Sequence, residues 1–426
     1  MTQLIKIGIL GPWGSGNLGD AAIQEAVIHN IRKIIPGSKI YGFTPDVKDT
    51  ARRHRLECYD ISNLRVQIKL TYPDKIKNNR FLKIFVRGLN LLIRIIELIS
   101  NVFLQLKSIL RSVRILREFN LLIISGGGQL DESWGGKWGH PFTIYNWSLA
   151  AKLSKTALVF LSVGVDTVHS GLSKYFFKKS LLWSDYSSVR DAKSYAFIMN
   201  LGIRKNNGIY PDLAYSYPVQ AMKQAEPLPE TKKLVGISPI SSASWKNESA
   251  TTYENYLNEL VSFSKYLISN HYNILFFPSQ EQMDVPVIRK IEPMLKDETT
   301  EHYIEYLYAH DCYDVDLLLS KIVMADMVIA SRLHAVLLST LLCKPVIAIS
   351  SQKKVVSLMH DLDLSAYIMS PKMMHMNGLA EAFRNLEERS KTIHTSLNQK
   401  IQQYRSRLSI QYEHIASLLK IHSDRI

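Results

Sequence analysis

Only three cysteines, Cys58, Cys312 and Cys343, occur in 426 residues. Their odd number and wide spacing suit neither a disulfide framework nor a metal site, and the usage fits a reducing compartment. Low-complexity tracts are missing, and a chain with 46% hydrophobic and 21% charged residues is not of disordered composition. Long uncharged hydrophobic runs are missing as well. The greasiest stretch, residues 80–118, is broken by Arg94 and Glu97. No uncharged run therefore approaches the ~20 residues needed to span a bilayer. No signal peptide is visible, because "IKIGIL" at residues 5–10 runs into the glycine-rich "GPWGSGNLGD" rather than into a cleavage site. A cytoplasmic protein is expected. That glycine loop has neither the G-x-G-x-x-G nor the G-x-x-x-x-G-K-S/T spacing, so neither nucleotide fingerprint applies.

What is present in excess is positive charge. The net charge is +14, and residues 61–118 hold 12 Lys and Arg against Asp74, Glu97 and Glu118, an excess of +9. Within that segment polar residues recur at Lys83, Arg87, Asn90, Arg94, Glu97, Asn101, Gln105, Ser108 and Ser112. Steps of three and four predict a helix over 80–118, with an apolar face wider than a surface helix needs. Two readings are open. One is an interfacial helix on the anionic inner leaflet of a membrane, which would make the protein peripheral there. The other is a long helix buried between domains or in a dimer. Nucleic acid is disfavoured, because the cations do not interleave with stacking aromatics.

The chain is too long for one ordinary core. Residues 1–217 open with "LIKIGIL", the glycine loop, a helix from about Asp20 to Ile35, and "KIYGFT", a strand–helix–strand unit of the open parallel-sheet type. "NLLIISGGG", "TALVFLSVGVD" and "YSSVRD" follow the basic segment, each an apolar strand ending in a loop. Pro218 to Lys233, with three prolines and several charges, reads as a linker. In residues 234–378 the pattern restarts with "LVGISPI", "YNILFFPS", "HYIEYLY", "MVIAS" and "PVIAIS". An amphipathic helix from about Leu379 to Ile421 occupies the end, residues 379–426. The expected fold is α/β, two doubly wound Rossmann-like domains facing across a cleft. Ligands of such sheets sit at the carboxyl ends of the strands.

Four loops lie at those ends. In "GPWGSGNLGDAAI", Gly14, Gly16 and Gly19 let the backbone approach a ligand, and Asp20 suits the first turn of the helix that follows. A plain strand–helix turn with a capping Asp is the alternative. In "SGGGQLDESWGGKWGHPFTIYNW", the backbone N–H groups of Gly126, Gly127 and Gly128 could bind an anion. Trp134, Trp138 and Trp147, with His140 and Tyr145, could stack on a sugar or else cap the domain core. In "SSVRDAKSYAFIMNLGI", Arg190 suits a carboxylate or phosphate, or a salt bridge with Asp191 or Asp212, while Asp191 can cap a helix beginning near Lys193. In "SRLHA", Arg332 and His334 flank the start of a helix from Leu333, whose first N–H groups favour an anion. A satisfied buried histidine is the plainer reading of His334. Lys353 and Lys354 follow the next strand. Cations, one imidazole, glycine N–H groups and aromatic surface together match a small, highly anionic donor and a carbohydrate acceptor.

In order along residues 5–365, "GNLGDAAI", "ISGGGQLD", "VRDAKSYAFIMNLGI" with "YPDLAY", and "ASRLHAVLLSTLLCKPVIAIS" resemble the markers of the polysaccharide pyruvyl transferase family. The resemblance implies a GT-B-like fold and transfer of pyruvate from phosphoenolpyruvate (PEP) to a sugar of a surface polysaccharide or its lipid-linked precursor. The product is usually a cyclic ketal, with phosphate released and no metal or other cofactor implied. Arg332 and His334 resemble donor-site residues, with Arg190, Leu333, Lys354, Gly127 and Gly128 beside them. Asn17, Asp131, Trp134, Trp138 and His140 are assigned to the acceptor. His334 is the natural general acid and Arg332 a charge stabiliser, with Asp20 or Asp131 as the group that deprotonates an acceptor hydroxyl. Ser351-Gln352 departs from the aromatic or acidic residue common in the family after the "AIS" strand.

Two rivals stand beside this reading. A nucleotide-sugar glycosyltransferase on the same fold commonly holds its donor with carboxylates of the C-terminal domain. No glutamate occurs between Glu305 and Glu381, which counts against it. A non-catalytic scaffold of a polysaccharide assembly is the other, and the intact Arg332–His334 pair argues against that.

Overall fold

The computed structural model describes residues 4–11, 13, 14, 16–62, 80–204, 207–219, 232–244, 249–298, 304–306 and 315–423. Its first sheet contains β1 (Lys6–Leu10), β2 (Lys39–Thr44), β3 (Glu57–Asp60), β4 (Leu121–Ser125), β5 (Ala157–Val163), β6 (Tyr186–Val189) and β7 (Asn207–Ile209). They pair in the order β3-β2-β1-β4-β5-β6-β7, every pair parallel. The second sheet contains β8 (Leu234–Ser238), β9 (Asn273–Phe276), β10 (Ile304–Tyr306), β11 (Met327–Ala330), β12 (Val346–Ile349) and β13 (Ile368–Met369). Its order, β10-β9-β8-β11-β12-β13, repeats the first, again all parallel. Central strands such as "LLIIS" and "ALVFLSV" are buried throughout, as parallel strands covered by helices on both faces must be. Each domain starts at its middle strand, builds outward, then crosses back. The order therefore reverses between β1 and β4, and between β8 and β11, and these two points open the crevices where ligands of such sheets bind.

The sequence missed three strands: β3 ("ECYD"), β7 ("NGI") and β13 ("IM"). All are short and lie at sheet edges, where no continuous apolar run is required. Of "HYIEYLY", only Ile304–Tyr306 is described as strand, and residues 220–231 of the expected linker lie outside the described residues, as does Cys312.

One apolar cluster runs through both domains, from Ile9, Leu18 and Ile23 to Val336, Leu337 and Tyr412. A second lies on the other face of the first sheet and includes Phe43, Val113, Leu116, Trp147 and Phe177. The final helix is two helices, Met376–Glu388 and Ser390–Ser423. The second returns to the first domain. Buried Gln411 donates to Ser188 Oγ and accepts from Ser162 Oγ, and Arg405 Nε donates to the Tyr215 carbonyl at 3.2 Å. The basic segment forms a single 37-residue helix, Arg80–Leu116. It buries Ser112, Val113 and Leu116 but exposes Val102, Phe103, Leu106 and Leu110, so it is not enclosed between the domains.

Candidate active site

After β1 the chain turns through Gly14 (φ +77°) and Gly16 (φ +63°), conformations that a side chain disfavours. Asn17, not Asp20, then caps the helix Leu18–Ile34: its Oδ1 accepts from the N–H groups of Gly19 (3.2 Å) and Asp20 (3.4 Å). The same turn joins the domains. Leu18 N donates to the Ser279 carbonyl (3.0 Å), and Glu281 N donates to that of Gly16 (2.9 Å). The helix N-terminus at the first switch point is thereby fixed against the second domain.

Opposite stands the helix Leu333–Leu341, starting directly after β11, with His334 in its first turn. The imidazole rests on Gly19. Its Nδ1 lies 2.9 Å from Asn17 Oδ1, an oxygen already accepting two backbone N–H groups. That atom can only accept, so Nδ1 carries the proton and Nε2 holds a lone pair. Nε2 is buried without a hydrogen-bond partner among the described residues and lies 3.8 Å from Asp20 Oδ1. Burial, and then the charges of Arg190, Lys354 and Arg332, push the His334 pKa down to about 3. Burial pushes Asp20 the other way, to about 7, opposed by Arg190 and Lys354 and reinforced by Asp212. Two neighbouring groups are thus driven toward their neutral forms. At neutral pH the histidine is unprotonated, and a substantial fraction of the aspartic acid holds a proton.

Three cations surround this pair, each held by carboxylates. Arg190, at the end of β6, donates from Nη1 to Asp212 Oδ2 (3.2 Å) and lies 3.6 Å from Asp191 Oδ2, so both of its expected partners are engaged. Asp191 also caps its helix, accepting from Ser194 N at 2.7 Å. Gly164 admits the guanidinium, since a Cβ there would lie 2.5 Å from Arg190 Nε. Arg332 donates from Nε to both oxygens of Asp284 at 2.8 Å and from Nη2 to Oδ1 at 2.6 Å. Asp284 is fully buried, and its Oδ2 also accepts from Ser279 N and Gln280 N. The sequence reading missed this partner. Asp284 lies 48 residues upstream in a helix, and no local spacing signals it. Lys354 lies in the first turn of the helix Lys353–Asp361 and faces Asp166 of the first domain at 3.9 Å.

The tryptophan loop divides. Trp134 (48% exposed) and Trp138 (37%) are partly exposed, the first against His140 and the second against Phe142 and Phe176, whereas Trp147 is buried edge-on against Phe43 and belongs to the core. Tyr145 packs on Phe176 and Trp183. Half-buried His140 touches Trp134, and desolvation pushes its pKa down to about 4. Asp131 is bound up in its own loop: it accepts from Ser133 N, Ser133 Oγ and Thr167 N. A carboxylate so occupied is poorly placed to deprotonate a sugar hydroxyl. Among the glycines, Gly126 N–H already donates to the Leu161 carbonyl and cannot serve an anion. Gly127 turns at φ +60°, and beyond Gly128 the space is open.

The arrangement can hold an anion between cations from both domains, beside an acid–base pair. The family profile described as polysaccharide pyruvyl transferase matches residues 17–353. No curated protein matches the chain in sequence. Among solved structures, a putative UDP-N-acetylglucosamine 2-epimerase from Listeria monocytogenes is similar with TM-score 0.60 and 10% identity, covering 99% of this chain and 98% of that one. The UDP-GlcNAc 2-epimerase from Methanocaldococcus jannaschii gives TM-score 0.56 and 10% identity over 89% and 92%. A glycosyltransferase from Rickettsia africae gives 0.55 and 11% over 98% and 99%. At such identities the likeness establishes the two-domain GT-B fold alone.

Proposed function

The chain belongs to the polysaccharide pyruvyl transferase family, and from that premise and the geometry of the site we propose that it transfers the pyruvyl group of PEP to a sugar of a surface polysaccharide or its lipid-linked precursor. The observation that carries the proposal is the convergence of Arg190, Arg332 and Lys354 on the field around a neutral His334. PEP brings a carboxylate and a phosphate, and a trianion entering that field would replace the repulsion among the three cations by attraction.

The proton positions suggest a division of labour. C3 of the enol phosphate takes a proton from Asp20, and C2 becomes oxocarbenium-like. A sugar hydroxyl adds to C2 as its proton passes to His334 Nε2. The C2–O bond to phosphate then breaks, with His334 returning its proton to the leaving group. A second hydroxyl closes the ketal and releases its proton to Asp20, so that diol and PEP become ketal and phosphate. His334 thus accepts before it donates, a modification of the purely acidic role expected from sequence. The negative charge of PEP offsets the three cations that lower the proton affinity of His334, so the imidazole can take the hydroxyl's proton once the donor is bound. Trp134 and Trp138 offer C–H stacking surface to the acceptor.

Calorimetric titration of PEP and of a panel of nucleotide sugars into wild type and Lys354→Ala tests this reading. Lys354 is the better probe, because Arg332→Ala would strand the buried carboxylate of Asp284. PEP binding weakened about tenfold or more in the variant is expected from loss of one close charge. Binding of a nucleotide sugar and none of PEP would overturn the reading in favour of a glycosyltransferase.

A further inference from the structure

The helix Arg80–Leu116 turns an apolar stripe to solvent. Ile95, Ile99, Val102, Phe103, Leu106 and Leu110 are all exposed, Phe103 by 68% and Leu110 by 70%. Their spacing keeps them on one side of the helix. The opposite side is anchored at Ser108, whose Oγ accepts from Asn146 at 3.0 Å, and the last turns are anchored by Val113 and Leu116, which enter the second apolar cluster. Contiguous exposed apolar surface of this kind marks an interaction site.

Charge indicates what it meets. Lys107, Arg111 and Arg114 are exposed and form a row beside the stripe, with no acidic residue between Glu97 and Glu118. Neighbouring helices of the same layer extend the pattern. Leu153, Tyr175 and Leu182 are exposed, and Lys152 and Lys179 lie over the rings of Trp183 and Tyr175 at 5.3 and 5.7 Å. Apolar side chains, amphipathic rings and cations on one surface suit the boundary between lipid headgroups and acyl chains. A second copy suits it less well. The helix carries Glu97 as its sole carboxylate against seven cations, so a two-fold contact would set most of them facing like charge.

The site lies toward the same end. Ser108 is level with Asn146, six residues into the helix that begins at His140, so residues 80–101 continue about 33 Å beyond that helix's start. That start is on the side of the strands' carboxyl ends. Ile95 and Ile99 of the stripe therefore lie beyond that start, on the side of the strands' carboxyl ends.

We propose that this helical layer, led by Arg80–Leu116, docks the protein on an anionic lipid bilayer, with the stripe among the headgroups and the cation row against lipid phosphates. The proposal does not depend on which donor the cleft takes. Sedimentation of the full-length protein with vesicles of phosphatidylglycerol and phosphatidylcholine, against phosphatidylcholine alone, tests it. Wild type is expected to pellet with the anionic vesicles and to be released by salt. Phe103→Glu with Leu110→Glu should weaken binding by about a factor of ten or more, with thermal unfolding unchanged. Lys107→Glu with Arg111→Glu, which spares the apolar stripe, should lose the preference for anionic lipid. Failure of wild type to pellet, or pelleting of both variants like wild type, overturns the proposal. So does a wild-type dimer that ignores vesicles and that Phe103→Glu with Leu110→Glu converts to monomer.

Discussion

Gly19 and His334, from opposite domains, pack so closely that a Cβ on residue 19 would lie 1.9 Å from the imidazole Cγ. Such a contact leaves no room for any side chain other than hydrogen. A glycine in the first turn of its helix thus seats the imidazole of the second domain. Gly19→Ala is therefore expected to displace His334 by an ångström or more while leaving both sheets intact. Misplacement on that scale can cost about a hundredfold in rate. Phosphate release from PEP in the presence of acceptor, with circular dichroism as the folding control, checks it. Wild-type turnover would show that the ring position does not matter.

The opposed shifts of His334 and Asp20 make a stability prediction whose sign can be worked out. His334 has a folded pKa of about 3, so unfolding takes up a proton below pH ~6.5 and its contribution falls with pH. Asp20 has a folded pKa of about 7, so between that value and ~3.9 unfolding releases a proton and stability rises as pH falls. Between about pH 4 and 6.5 folded and unfolded states hold the same number of protons on the pair, and the two slopes cancel. His334→Gln should uncover the Asp20 slope, gaining up to about 1.4 kcal/mol per unit of acidification, and Asp20→Asn should show the reverse. Urea unfolding across pH 4.5–6.5, relative to wild type, measures both; parallel curves for all three proteins would refute the assignment.

Asp284 binds Arg332 by three contacts of 2.6–2.8 Å and is fully buried. Removing it leaves a nearly buried guanidinium without its counter-ion. Asp284→Ala should cost about 3–5 kcal/mol in unfolding free energy, a loss typical of breaking a buried pair from one side. Arg332→Ala should cost a similar amount, and the double variant less than the sum. Additive losses in a double-mutant cycle would show that the two side chains do not act as a unit.

Much of this architecture is legible along the chain because its causes are local. Runs such as "NLLIISGGG" announce buried parallel strands, and every loop singled out does lie at a strand's carboxyl end. The capping aspartate at 191 and the helix start at Leu333 also follow from residues within a few positions. What escaped has non-local causes. β3, β7 and β13 are strands because a neighbouring edge pairs with them. Trp134 and Trp147 look alike in sequence, yet one is an exposed ring and the other core.

By itself the sequence determined the two repeated α/β halves, through apolar runs of strand length separated by amphipathic helices, and it put arginine, histidine and glycine at the loops between them. Only the tertiary structure decided what those residues do to one another. Asn17 sets the tautomer of a histidine 317 residues away, and burial in a closed joint neutralises His334 and Asp20 together. Proton affinity depends on solvent access and on charges gathered from both domains, and no stretch of chain carries either until the two sheets face each other.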